Sequence, residues 1–257
     1  MILPASTLVL MIVLLIVVIF TLLHHAQAQR GLHMAERRPL PALDLVRRAL
    51  ARGAETGNAI HLSPGSGGVD LRPGAAETIV GLLVTERVAQ EAALTGAPIL
   101  VGVGDAVSYL ALQGAVRRAY ERAGAAEEHD PGRIQLLAHQ DPMGYALGVN
   151  SVYGRQPVEV SQMIGSFGQE FVLIGETGAA RGIPQIAGTA NATAQPLTYL
   201  AADEALIGEE IFAAEAYLSR ETTSDARLRT QDALRTVAIV TILLLTILSL
   251  SGIRPNL

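Results

Sequence analysis

Phe171–Gly188, FVLIGETGAARGIPQIAG, holds two short apolar runs around a glycine-rich turn. Apolar runs bounded by glycine and proline read as strands. The stretch therefore predicts strands over Phe171–Gly175 and Ile183–Ala187, which can pair as a hairpin at one side of a sheet. Moving toward the N-terminus, Val158–Ile164 (VEVSQMI) alternates and predicts another strand. Asp141-Pro142 pairs an N-cap with proline at the first helical position, opening a helix that ends near Gly154. Ile134–His139 and Ile99–Val103 are further strands, separated by a helix that Asp105 caps and that runs to about Gly124. Ala75–Thr95 has helical periodicity, with Ile79, Leu82, Leu83 and Val88 inward and Glu86, Arg87, Gln90 and Glu91 outward. Ala59–Ser63 (AIHLS) is the first strand. Moving the other way, a last helix spans about Leu206–Ser219, and an arginine-bearing linker follows over 221–235.

Four strands joined by three helices imply parallel pairing with right-handed crossovers. The fold class is α/β, a Rossmann-like and mostly parallel sheet over 58–220 with helices on both faces. Before it, residues 30–57 form a basic juxtamembrane connector broken by Pro39 and Pro41, and Ala42–Arg52 within it reads as a short amphipathic helix.

The two ends are apolar. Leu8–Leu23 is sixteen residues without a charge, and Thr236–Ile253 is a second such segment. With their flanks both approach the roughly 20 residues a bilayer core requires, so 1–29 and 236–257 are expected to be transmembrane anchors. Neither Leu8–Leu23 nor Thr236–Ile253 carries the carboxylate, histidine or arginine of an ion path. Arg30, Arg37, Arg38, Arg47 and Arg48 follow the first segment; Arg220, Arg227, Arg229 and Arg235 precede the second. The positive-inside bias then gives a two-pass protein of the cell inner membrane, its main domain cytoplasmic and both termini outside. A cleaved signal peptide is the rival reading, because Ala26-Gln27-Ala28 fits a small-residue cleavage site.

Composition excludes more than it indicates. Cysteine is absent, and all nineteen basic residues are arginine. Disulfides, thiolate chemistry, Schiff bases and the lysine of a phosphate-binding loop are therefore ruled out. A net charge of −5 with 4% aromatic residues argues against nucleic acid as a partner.

In a parallel sheet, ligands sit beyond the carboxyl ends of the strands. There the chain places Ser63, Gly65, Ser66 and Gly67 after the first strand and Gly104 and Asp105 after the second. His139 and Asp141 follow the third strand, Gly165 and Ser166 the fourth. Glycine loops at helix N-termini present amides to anions, so this rim is the candidate ligand site; the same glycines also serve plain turns. No dinucleotide, nucleotide or G-x-S-x-G motif is complete, and a Ser66/His139/Asp141 triad lacks supporting spacing. The histidines show no metal spacing, and His61 within an apolar strand reads as a hydrogen-bonded core residue. Glu209, Glu210 and Glu215 read as first-turn acids plus one solvated face. No catalytic residue, metal or cofactor is assigned.

Asn58–Ser63, Gly165–Phe171, Gly175–Gly182 and Ile207–Ala214 together resemble a family of bacterial membrane proteins, domain of unknown function 6754. The resemblance covers about residues 55–250. It implies a membrane-bound α/β architecture and carries no activity, cofactor or catalytic residue.

The expectation is a non-enzymatic, membrane-anchored scaffold or assembly subunit, a homo-oligomer or a hetero-oligomer with related subunits. The alternative is a sensor or enzyme binding a nucleotide or other small molecule on the glycine-loop rim. A transporter ranks third, since the anchors are bare.

Overall fold

The computed structural model describes residues 5–29, 39–70, 73–219 and 222–250. Six strands make one sheet: β1 (Ala59–Gly65), β2 (Ile99–Val103), β3 (Ile134–Leu136), β4 (Val158–Ser166), β5 (Gln185–Thr189) and β6 (Glu204–Ile207). Their order is β3-β2-β1-β4-β5-β6, and every neighbouring pair is parallel. This is the strand order of doubly wound nucleotide-binding folds, and the reversal point lies between β1 and β4.

Helices connect the parallel strands and divide between the two faces of the sheet. Helices α2 (Pro41–Thr56), α3 (Ala75–Thr95), α4 (Ala106–Arg122) and α8 (Glu210–Leu218) cover one face. Their core is aliphatic, with Val46, Ile60, Leu62, Val84, Val88 and Ile164 fully buried. Helices α5 (Pro142–Arg155), α6 (Phe171–Ala180) and α7 (Gln195–Ala201) cover the other. That side buries Tyr145, Tyr153, Met163, Phe167 and Phe171.

Local chemistry sets the boundaries. Asp105 and Asp141 cap α4 and α5 as expected, each accepting from a backbone N–H of the first turn. Gly57 and Gly96 end α2 and α3 in the left-handed conformation, where a side chain would be strained.

Several expectations are corrected. Phe171–Gly175 is no strand but the start of α6. Its buried positions Phe171, Ile174, Gly175 and Gly178 follow the helical spacing i, i+3, i+4, i+7. The glycines are contact points: a methyl on Gly175 would lie 2.9 Å from Ala201 Cβ. The expected hairpin is therefore a helix followed by a parallel strand. Leu206 and Ile207 belong to β6, and the helix begins only at Glu210. Strand β3 stops at Leu136, short of His139. On α3, Ile79 and Leu83 are exposed, because Thr78, Gly81, Val84, Thr85 and Val88 form the inner face. Glu215 is buried rather than solvated and pairs with Arg87 of α3 at 3.1 Å.

Pro39–Leu218 form one compact unit. A separate unit holds α1 (Ala5–Gln29) and α9 (Thr222–Leu250), which pack on each other. His24 Nδ1 of α1 lies 3.1 Å from Thr230 Oγ1 of α9. Residues 222–235, expected as a linker, are the first turns of α9. The basic residues Arg30, Arg37, Arg38 and Arg220, and the end of the second apolar segment, lie outside the described residues. Among the described residues no helix is long and apolar enough to cross a membrane.

Candidate functional site

The rim at the reversal point is built from the ends of β1 and β4 and the loops that follow β1, β2 and β4, and their backbones hydrogen-bond to one another. Gly67 N donates to Ser166 O at 2.9 Å, and Gly104 N donates to Gly65 O at 3.2 Å. Gly65 and Gly165 have φ of 94° and 151°, in the region that side chains avoid. A Cβ on Gly165 would run into the carbonyl of Pro64, and one on Gly65 into the carbonyl of Ser166. The two glycines are thus required for backbone-to-backbone approach of the ends of β1 and β4.

The polar side chains of this rim bond inward. Ser66 Oγ donates to Glu170 Oε1 at 2.6 Å, and Gly168 N donates to the same oxygen at 2.8 Å. Ser63 Oγ lies 2.5 Å from Tyr145 Oη and accepts from Gly65 N at 2.9 Å. Burial pushes the Tyr145 hydroxyl up, outweighing the opposing hydrogen bond from Ser63. On the far side of the loop, Glu77 of α3 accepts from Thr189 Oγ1 at 2.8 Å and from Ala190 N at 3.2 Å.

Asp105 Oδ2 accepts from Ser108 N at 2.9 Å, and its Oδ1 stands 3.6 Å from His139 Nδ1. That nitrogen accepts from Ala106 N at 3.3 Å, so it carries no proton in this arrangement. Asp141 Oδ1 accepts from Met143 N and Gly144 N at 3.1 and 3.0 Å.

The structure therefore brings Ser63, Gly65, Ser66, Gly67, Gly104, Gly165 and Ser166 together at the ends of β1, β2 and β4. Asp105 and His139 meet beside it, and Asp141 stands apart as a helix cap. Ser66, His139 and Asp141 do not assemble into a triad: the serine proton goes to Glu170, and the carboxylate nearest His139 belongs to Asp105. Sequence reasoning assigned no role to Glu170, Tyr145 or Glu77. Glu170 was legible as the one acid in the glycine-rich run Gly165–Gly168 and its sequel.

Beneath the rim, on the face covered by α5, α6 and α7, a buried polar chain crosses three strands. Tyr153 Oη donates to Ser161 Oγ at 2.6 Å, and Ser161 Oγ lies 2.9 Å from His61 Nδ1. Gln185 Oε1 is 3.2 Å from the same Tyr153 hydroxyl. His61 Nε2 has no partner among the described residues. Burial pushes the His61 imidazole down to about 4 and the Tyr153 hydroxyl up to about 12. The core histidine expected at His61 is thus half satisfied.

Among the described residues no group of three or more histidine and acidic side chains is placed to hold a metal ion. No curated protein and no solved structure matches the chain. The model of one family does match, domain of unknown function (DUF6754), over residues 2–255. That match spans nearly the whole sequence and every motif that carried the resemblance, so the chain belongs to this family.

Proposed function

We propose that the protein is a subunit of a membrane assembly, held by α1 and α9 and acting through its α/β unit as a scaffold rather than as an enzyme. One observation carries this reading. Large apolar side chains stand exposed on the elements around edge strand β3: Val107 and Leu110 on α4, Leu136 on β3, and Met143 and Leu147 on α5. Leu110 is 69% and Leu147 65% exposed. The α4 pair is three residues apart and the α5 pair four, so each pair shares a helix face. An open sheet edge bordered by apolar side chains suits association with another copy or a related subunit.

The anchors rest on sequence and helix length. Helix α1 has 25 residues, about 37 Å at 1.5 Å per residue, against roughly 30 Å of hydrocarbon. Its uncharged stretch Leu8–Leu23 includes side chains outside those described. The arginine bias supports an inner-membrane protein with a cytoplasmic α/β unit and both termini outside.

Native mass spectrometry of the full-length protein, gently extracted from its own membrane, tests the assembly. A discrete multimer that falls apart in the double variant Leu110→Glu, Leu147→Glu is expected; a wild-type monomer at micromolar concentration would sink the idea. Because the chain has no cysteine, a single Ala126→Cys substitution reports sidedness. Labelling is expected only after the membrane is permeabilised.

A further inference from the structure

Given the association proposed above, on which this step depends, we infer that a second copy of the chain docks its β6 edge onto the β3 edge of the first. Copies then join head to tail, and strand pairing runs on from one sheet into the next. Strands β3 and β6 end the sheet on its two sides, and an edge strand carries backbone N–H and C=O groups that its own sheet does not pair. The two edges share a plan. Ile207 ends β6 exposed, as Leu136 ends β3. Phe212 stands exposed on α8, which packs against β6.

The pleat selects the register. Side chains at paired positions of a sheet share a face. Ile134 pairs with Val101 and Leu136 with Val103, so both point to the face whose aliphatic core holds Val101, Val103 and Ile134. Glu204 pairs with Ile186 and Leu206 with Gly188, which puts them on that same face. Ala205 pairs with Ala187 and therefore points, with Ile207, to the other face. A parallel match of β3 with β6 must set Ile134 opposite Glu204 or Leu206, since a slip of one residue would invert the faces. Opposite Leu206, β3 would run past the end of β6. Opposite Glu204, all three residues of β3 find partners: Gln135 meets Ala205 and Leu136 meets Leu206.

This register is complementary along its length. At the amino end it brings Arg133 opposite Asp203, which is exposed. Arg133 reaches Asp130 within its own turn only at 3.6 Å, and a guanidinium has donors for a second carboxylate. Asp203 is held at the edge because its Oδ2 accepts from Gln185 N at 2.7 Å. At the carboxyl end the exposed apolar side chains sort by face. Val107, Leu110 and Leu136 of one copy come against Phe212 of the next, and Met143 and Leu147 come against Ile207. Because the edges differ, the contact is heterologous, and a series of copies closes as a ring or grows as a chain.

Oxidative cross-linking of the full-length protein in its own membrane tests the pairing, because the chain has no cysteine of its own. Neighbouring strands lie about 4.8 Å apart, within the Cα separation that a disulfide spans. Gln135→Cys and Ala205→Cys are expressed singly and together. A disulfide-linked dimer is expected when both variants are present and from neither alone, and Leu110→Glu or Arg133→Glu in the Gln135→Cys chain should diminish it. Wild-type thermal midpoints for the two cysteine variants show that the fold survives. A linked dimer from Gln135→Cys alone would mean that two β3 edges meet, which overturns this pairing and leaves the association standing. A multimer in native mass spectrometry with no cross-link from the co-expressed pair overturns it in the same way. A wild-type monomer overturns both.

Discussion

The two ends of the sheet handle their polar groups in opposite ways. At the carboxyl ends of β1 and β4, Ser63, Ser66 and Glu170 all bond to other parts of the same chain. At the amino end of β2, the side chains of Tyr120 and Glu128 line a cavity and make no hydrogen bond among the described residues. In most doubly wound folds the first of these ends receives the ligand. Here Gly65 and Gly165 also let the ends of β1 and β4 approach backbone to backbone. The contrast shows that a glycine-rich rim is evidence of close backbone approach, and that what approaches can be the protein itself.

Substitutions at the first end should therefore damage the fold, and substitutions at the second should not. Gly165→Ala is expected to act most strongly. The methyl meets the Pro64 carbonyl at a φ of 151°, and strain with overpacking should destabilise by about 3 to 5 kcal/mol. Urea unfolding measures it; a loss under about 1 kcal/mol would mean that the loops can part.

Next comes acid. The folded His61 titrates at about 4 against an ordinary 6.5, so the unfolded chain binds the proton more readily. Stability from this group is full above about pH 6.5, falls as pH drops toward 4, and levels off below. The total is about 3 kcal/mol. His61→Gln should flatten that part of the stability–pH curve whatever its effect at neutral pH; an unchanged slope would point to other groups.

Smaller effects sharpen the comparison. Ser66→Ala removes a hydroxyl from the buried Glu170 carboxylate and should destabilise by about 1 to 2 kcal/mol. Asp105→Ala loses the cap of α4, about 1 kcal/mol, visible as a lower midpoint in thermal melts. Tyr120→Phe and Glu128→Gln at the far end should shift stability by no more than about 0.5 kcal/mol. A larger loss there would make that cavity structural too.

Much of the architecture was legible because caps and apolar runs are local signals. Asp105, Asp141-Pro142 and Gly96 announce boundaries within a few residues of themselves. Residues 171–180 misled because FVLIG matches an apolar strand as well as a helix face. Only the tertiary contacts of Gly175 and Gly178 decide between them. Strand β6 was hidden for the same reason: Glu204–Ile207 takes its conformation from pairing with β5, a distant partner. The rim residues were legible as a group, since topology collects them, but their bonding to Glu170 and Tyr145 was not. The cavity at Tyr120 leaves no motif, because residues from α3, α4 and two short turns meet there through folding alone.

The interlock of β1 with β4 also has a consequence in time. His61 and Ser161, which meet across this pair, are 100 residues apart. At a ribosomal rate of roughly 5 to 20 residues per second, the central strand waits about 5 to 20 s for its main neighbour. Until then β1 can pair only with β2, and its other edge stands open in the nascent chain. Gly165 is thus the last turn of the key during synthesis. A codon change that slows translation before it would lengthen the interval in which the half-built sheet can aggregate.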